Sequence, residues 1–104
     1  MTHPVRDLDE VVHQRVRLGI LAVLTETKRA DFTFLRTTLE LTDGNLSRHL
    51  QVLETAGYVA IEKTYERRRP RTWVRATRQG RTAFAREVAA LRALLDRVSP
   101  EEGP

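Results

Sequence analysis

Residues 42–58 read TDGNLSRHLQVLETAGY, and more of the architecture follows from this stretch than from any other. Thr42 has the hydroxyl of an N-cap, which accepts a hydrogen bond from an otherwise unpaired N–H in a helix's first turn. Asp43 follows, where the positive end of the helix dipole favours a carboxylate. Asn45 rather than Glu or Gln stands three residues beyond the cap, so the capping box is incomplete. Leu46, Leu50 and Leu53 recur at i, i+4 and i+7, one stripe along a helix. Gly57 is placed to end it. The stretch therefore predicts a helix from Thr42 to Ala56 that is apolar on one side only. The other side presents Asp43, Gly44, Asn45, Ser47, Arg48 and Gln51, all small or polar, with one arginine.

On the N-terminal side, Phe34, Leu35 and Leu39 form the apolar face of a shorter helix that ends before Leu41, with Thr33 as its expected N-cap. Thr37 and Thr38 lower its intrinsic propensity, so packing must hold it. Two helices so closely joined, over about 33–56, describe a helix-turn-helix. Further upstream, Val16, Ile20, Leu21 and Leu24, with Leu18 alongside, predict a helix over 14–26. Leu8 to Val12 suits a helical turn, and Asp31-Phe32 a very short extended segment. His13 reads as a cap or a satisfied core histidine rather than a ligand.

On the C-terminal side, Tyr58 to Tyr65 alternates in part and reads as a strand. Thr72 to Ala76 has strand propensity again. Between them Glu66 to Arg71 is too charged for a core, and Pro70 is expected to end regular pairing. The result is a two-stranded hairpin over about 58–76 with a basic tip. Thr77 is the expected cap of a last helix over about 78–98, with Ser99-Pro100 stopping it. Gly80 costs about 1 kcal/mol of helix propensity, which points to close backbone packing at that position. Phe84, Val88, Leu91, Leu95 and Val98 step by 4, 3, 4 and 3, the spacing of a dimerisation seam. The predicted fold is one α+β domain over 1–104, mainly helical: a winged helix-turn-helix with a C-terminal dimerisation helix.

The formal charge of +4 is unevenly placed. Residues 1–42 hold six Lys/Arg and six Asp/Glu, residues 43–81 nine against four, and residues 82–104 three against four. The net +5 block thus coincides with the polar helix face, the hairpin and the next helix start, and a polyanion is its natural partner. On the polar face, Arg48 suits guanine, and Asn45 and Gln51 suit adenine. Ser47 suits phosphate or base, and Thr42, Asp43 and Gly44 border the helix N-terminus where phosphate binds. Asp43 repels phosphate unless it caps or meets a cytosine amine. Arg67, Arg68, Arg69 and Arg71 on the hairpin tip can neutralise phosphates, and one can enter a minor groove. Arg75 and Arg78 extend that track or pair with acids, with Lys63 a weaker candidate. His49 reads as semi-buried packing and Trp73 as hydrophobic core.

Cysteine is absent, which excludes disulfides, thiolate metal sites and cysteine nucleophiles. The three histidines have no metal-ligand spacing, the five glycines form no phosphate loop, and no triad pattern is visible. No catalytic residue, cofactor or metal is expected, and an enzyme is not. With no secretory segment or long apolar run, the expected place is the cytoplasm, and the nucleoid when bound to DNA.

The run DFTFLRTTLELTDGNLSRHLQVLETAGYVAIEKTYERRRPRTWVRATRQGR, residues 31–81, resembles winged-helix bacterial transcriptional regulators of the MarR/ArsR-like group, closest to compact stand-alone winged-helix DNA-binding domains. The resemblance covers about residues 9–96. It implies a homodimeric regulator, read here as a repressor, that binds a palindromic operator in double-stranded DNA. It also implies that Thr42–Ala56 is the recognition helix, that the wing is centred on 66–71, and that the first and last helices dimerise. The chain lacks the cysteine ligands of metal-sensing relatives and the longer helical framework of larger drug-binding ones, so the resemblance names no small-molecule effector. The competing readings are a protein-interaction module with an acidic partner and a non-specific nucleoid-type DNA binder.

Overall fold

The computed structural model describes residues 2–98. A 3-10 turn at Pro4–Asp7 leads to α1 (Arg15–Thr25), β1 (Ala30–Asp31), α2 (Phe32–Leu39), α3 (Asp43–Thr55), β2 (Val59–Glu66), β3 (Arg69–Ala76) and α4 (Arg78–Val98). The three strands form one antiparallel sheet in the order β1-β3-β2. This is a mainly helical α+β winged helix-turn-helix with a C-terminal helix. The expected stop at Ser99-Pro100 lies outside the described residues.

The apolar stripes meet as their spacing requires. Val16, Ile20, Leu21 and Leu24 of α1 and Leu46, Leu50 and Leu53 of α3 are buried in one cluster, with Leu35 of α2 and Val59, Val74 and Ala76 of the sheet. Thr42 caps α3, accepting from the N–H of Asn45 at 3.1 Å. At the other end Gly57 takes φ 83°. The N–H of Tyr58 then bonds the Leu53 carbonyl and that of Gly57 the Glu54 carbonyl, each at 2.9 Å, a Schellman closure.

Two local expectations for α2 are corrected. Its N-cap is Asp31, not Thr33, and the carboxylate accepts from the N–H of Phe34 at 2.7 Å. A charged acceptor outcompetes a hydroxyl at the positive end of a helix, so Phe32 is drawn into the first turn. Phe34, expected on the apolar face, is 52% exposed, and Leu35 takes the buried position.

Pro70 does not end the hairpin. Pairing runs to Glu66↔Arg69 around a two-residue turn, Arg67-Arg68, in which both residues are left-handed at φ 53° and 68°. In such a hairpin Glu66 and Arg69 exchange the closing hydrogen bonds. The next pair, Tyr65↔Pro70, is of the kind that makes none, so proline's missing N–H costs nothing there.

The start of α4 is fastened to the end of α3. Thr77 caps α4 by accepting from Gly80 N–H at 3.0 Å, and its hydroxyl donates to the Gly57 carbonyl at 2.6 Å. A Cβ at Gly80 would lie 2.0 Å from the Tyr58 carbonyl oxygen, so only glycine permits this approach. Farther along α4, Glu87 is fully buried. It accepts from the Asp9 N–H at 2.9 Å and meets His13 Nδ1 at 2.7 Å, so the half-exposed His13 is neither a cap nor a core residue. Phe84 packs against the core, whereas Leu95 and Val98 stand 60% and 71% exposed. The molecule measures 62 × 26 × 23 Å. Its radius of gyration of 16.1 Å exceeds the roughly 13 Å of a compact chain of this length.

Candidate nucleic-acid interface

With its leucines in the core, α3 has a fixed roll. Thr42, Asp43, Gly44, Ser47, Arg48 and Gln51 are exposed, and Asn45 is half-buried beside them. All seven residues expected on this face are therefore brought together. Asn45 Oδ1 accepts from Arg48 Nη2 at 2.8 Å, which extends the guanidinium along the outer face. Asp43 pairs with Arg36 of α2 at 2.7 Å, so the carboxylate nearest the helix N-terminus is already neutralised. Gly44 behaves differently from Gly80: a Cβ there would meet nothing within 4 Å. No packing among the described residues accounts for a glycine in the first turn of this helix.

His49 is buried at 8% exposure, as expected for packing. Its Nδ1 lies 3.1 Å from Arg17 Nη1. Arginine has only protons to donate, so Nδ1 accepts and Nε2 carries the ring proton. Burial first, then the Arg17 and Arg48 cations, push the imidazole below its ordinary pKa. A neutral His49 thus links α3 to α1 and contributes no charge to the outer face.

The four wing arginines separate into two groups. Arg67 and Arg68 form the exposed turn, and Arg69 is exposed beside them. Arg71 is committed to the protein: it pairs with Asp31 at 2.7 Å and Glu66 at 2.8 Å. The bond to Asp31, followed by that to Glu66, raises its pKa still further. Burial works against the charge of Asp31. The bond from Arg71, with those from the Phe34 and Thr33 N–H groups, outweighs it and holds the carboxyl below its ordinary range. One aspartate therefore caps α2 and braces the wing.

Trp73 is not core, contrary to expectation. It pairs with Glu62 and Asp31, one position out of phase with buried Val74, on the outer sheet face. Two guanidiniums lie over its ring, Arg29 at 3.7 Å and Arg71 at 4.7 Å from the centroid. Arg75 and Arg78 are exposed and make no ion pair among the described residues.

Arg17, Asp31 and Arg36 are the organising residues that sequence reasoning missed. Their partners lie in other elements. Only Asp31, an acid before a helix, carried a local signal. Among the described residues no group of three His, Cys, Asp or Glu could hold a metal, and no helix is long and apolar enough to cross a membrane.

A helix with an exposed polar face thus packs beside a basic β-ribbon. The model of the winged helix DNA-binding domain family aligns with residues 16–95. The chain belongs to that family. An uncharacterized protein of Methanocaldococcus jannaschii is 39% identical over 75 residues, 72% of this chain and 82% of its own. The structure of a transcriptional regulator homologue from Pyrococcus horikoshii superposes with a TM-score of 0.88 at 32% identity, covering 95% of this chain and all of that one (100%). A MarR family transcriptional regulator from Streptomyces coelicolor, solved in complex with DNA, matches at 29% identity and a TM-score of 0.68, over 96% of this chain and 70% of that one. The domain thus resembles MarR-family regulators in fold.

Proposed function

We propose that this winged-helix domain is a sequence-specific regulator of transcription that binds a palindromic operator in double-stranded DNA as a homodimer and represses. The observation that carries the reading is the outer face of α3. Arg48 is held by Asn45, and Gly44 leaves the helix start open although no described neighbour requires it. The Streptomyces coelicolor relative in complex with DNA supports the same assignment.

In this reading α3 enters the major groove. Arg48 donates to the O6/N7 edge of a guanine, and Gln51 is spaced to read an adenine. Asn45 keeps its amide N–H groups free to donate after its oxygen accepts from Arg48. Thr42, Gly44 and Ser47 let phosphate approach the N–H groups of the first turn, and the Arg36–Asp43 pair removes the repulsion that Asp43 would exert. Arg67, Arg68 and Arg69 neutralise the flanking backbone, while Arg71 stiffens the wing that carries them. Leu91, Leu95 and Val98 of α4 form the dimer seam, with Val88 at its edge and Phe84 serving the protomer's own core. The site is cytoplasmic, on the nucleoid when DNA is bound, and neither cofactor nor catalytic step enters.

Selection of bound sequences from a random duplex library tests this directly. The expected product is a palindrome with half-sites about 34 Å apart, with affinity falling at least ~1,000-fold between 50 and 200 mM salt for about six phosphate contacts. Arg48→Ala is expected to narrow the gap between operator and random DNA, by about 1–3 kcal/mol at one base position. Absence of duplex binding at micromolar protein, or capture of an acidic protein by a strict monomer, overturns the reading. Tight binding with no preferred sequence reduces it to a non-specific DNA binder.

A further inference from the structure

The two faces of the wing differ in chemistry. On one face Glu66, Arg71, Asp31 and Trp73 are consumed by ion pairs and stacking. The other continues the buried face of the sheet. Val59↔Ala76 and Ile61↔Val74 pack on the helices, and by the two-residue period of the pleat Lys63↔Thr72 and Tyr65↔Pro70 follow on the same side. Beyond the helices this face ends in Tyr65, 77% exposed, backed by exposed Pro70 and adjoining the Arg67-Arg68 turn. At that exposure the core does not retain the ring.

We infer that Tyr65, supported by Pro70, is a DNA contact of the wing, packing its ring against the deoxyribose of the minor-groove wall while Arg67 and Arg68 hold the phosphates. The inference rests on the proposed DNA-binding function and adds an uncharged contact to it. A tyrosine offers a broad apolar face at the loss of only two torsions. Aromatic and apolar residues at the ends of basic elements are suited to sugar and base surfaces that a guanidinium cannot cover. The position also has geometric support: a two-residue turn leaves Tyr65 one residue from the closing pair, so the hairpin register sets its backbone close to both turn arginines.

The distinguishing property is charge. Loss of an arginine contact lowers the slope of log affinity against log salt by about one unit, whereas loss of an apolar contact leaves the slope unchanged. Binding to the library-selected duplex is measured from 50 to 200 mM salt for the wild type, Tyr65→Ala, Tyr65→Phe, Tyr65→Thr and Arg68→Ala. Emission of Trp73, the single tryptophan and itself on the hairpin, reports whether the wing is intact. Tyr65→Ala and Tyr65→Thr are expected to bind about tenfold more weakly with the wild-type slope, and Tyr65→Phe within about twofold of wild type. Threonine keeps strand propensity, so a wing that loosens only with alanine does not obscure the result. Wild-type affinity in Tyr65→Thr, or a slope that flattens as in Arg68→Ala, overturns the inference while leaving the DNA-binding reading in place. A wild type that binds no duplex overturns both.

Discussion

Gly44 and Gly80 show how two glycines in helix first turns serve unlike purposes. At Gly80 the neighbour is the protein's own backbone, the Tyr58 carbonyl oxygen 2.0 Å from a hypothetical Cβ. At Gly44 the space is empty, and glycine there lowers helix stability without any internal return. Gly44→Ala is therefore expected to raise the unfolding free energy by about 0.5–1 kcal/mol, read by denaturant titration. The same methyl group would stand where phosphate approaches, so operator affinity is expected to fall about tenfold, or ~1.4 kcal/mol. A variant that is more stable and binds equally well would show that the helix start does not touch DNA. Both glycines are visible in the sequence as helix-breaking residues, but only the surroundings of each distinguish its role.

Among the elements, the wing depends most on partners elsewhere in the chain. Its turn holds two arginines at positive φ, about 1–2 kcal/mol less favourable per residue than glycine would be. Its outer face is braced by Asp31 from β1. The carboxyl of Asp31 titrates below its ordinary value of 3.8 in the folded chain. A lowered folded pKa means that the stabilisation is present above the unfolded value and is lost as pH falls through the folded one. Asp31→Asn keeps a side chain able to cap α2 but surrenders the charge paired with Arg71. Near neutral pH the variant is expected to be less stable than wild type, and the difference is expected to shrink as pH falls from about 5 to below 3. Thermal unfolding across that range, followed by Trp73 emission, measures it. A gap independent of pH would mean that the ion pair contributes nothing. The hairpin itself was legible from alternation and composition. The extent of its pairing was not, because proline's cost depends on which of two alternating pair types it occupies, and that depends on turn length.

At the scale of the molecule, cover on α4 runs out along the helix: Ala90 is buried, Leu91 and Leu94 are half-buried, and residues 95–98 are exposed. Leu95 and Val98 are largely exposed among the described residues, and the homodimer proposed above would cover them. Because Leu95 is exposed in the protomer, Leu95→Glu is expected to change protomer stability by no more than about 0.5 kcal/mol. It is also expected to halve the mass seen by light scattering and weaken binding to a two-half-site duplex far more than to a single half-site. An unchanged mass would overturn pairing through the end of α4. The regular a/d spacing was readable beforehand, but its division was not. Phe84 turns into its own core, and fully buried Glu87 lies on the same helix, because the Asp9 N–H and His13 satisfy its carboxylate.

Local signals in the chain suffice for the capped α3 with its leucine stripe, the helix-turn-helix and hairpin order, and the basic block that overlies them. These rest on caps, turns and periodicities that act within a few residues. Which charges remain free to meet a polyanion depends instead on contacts between distant parts of the chain. Arg71 reaches Asp31 across 40 positions, Arg17 reaches His49 across 32, and Glu87 reaches the backbone of Asp9 across 78. Pairings at such separations leave no periodic trace, and an arginine held by a carboxylate reads the same in a sequence as one left open to a phosphate.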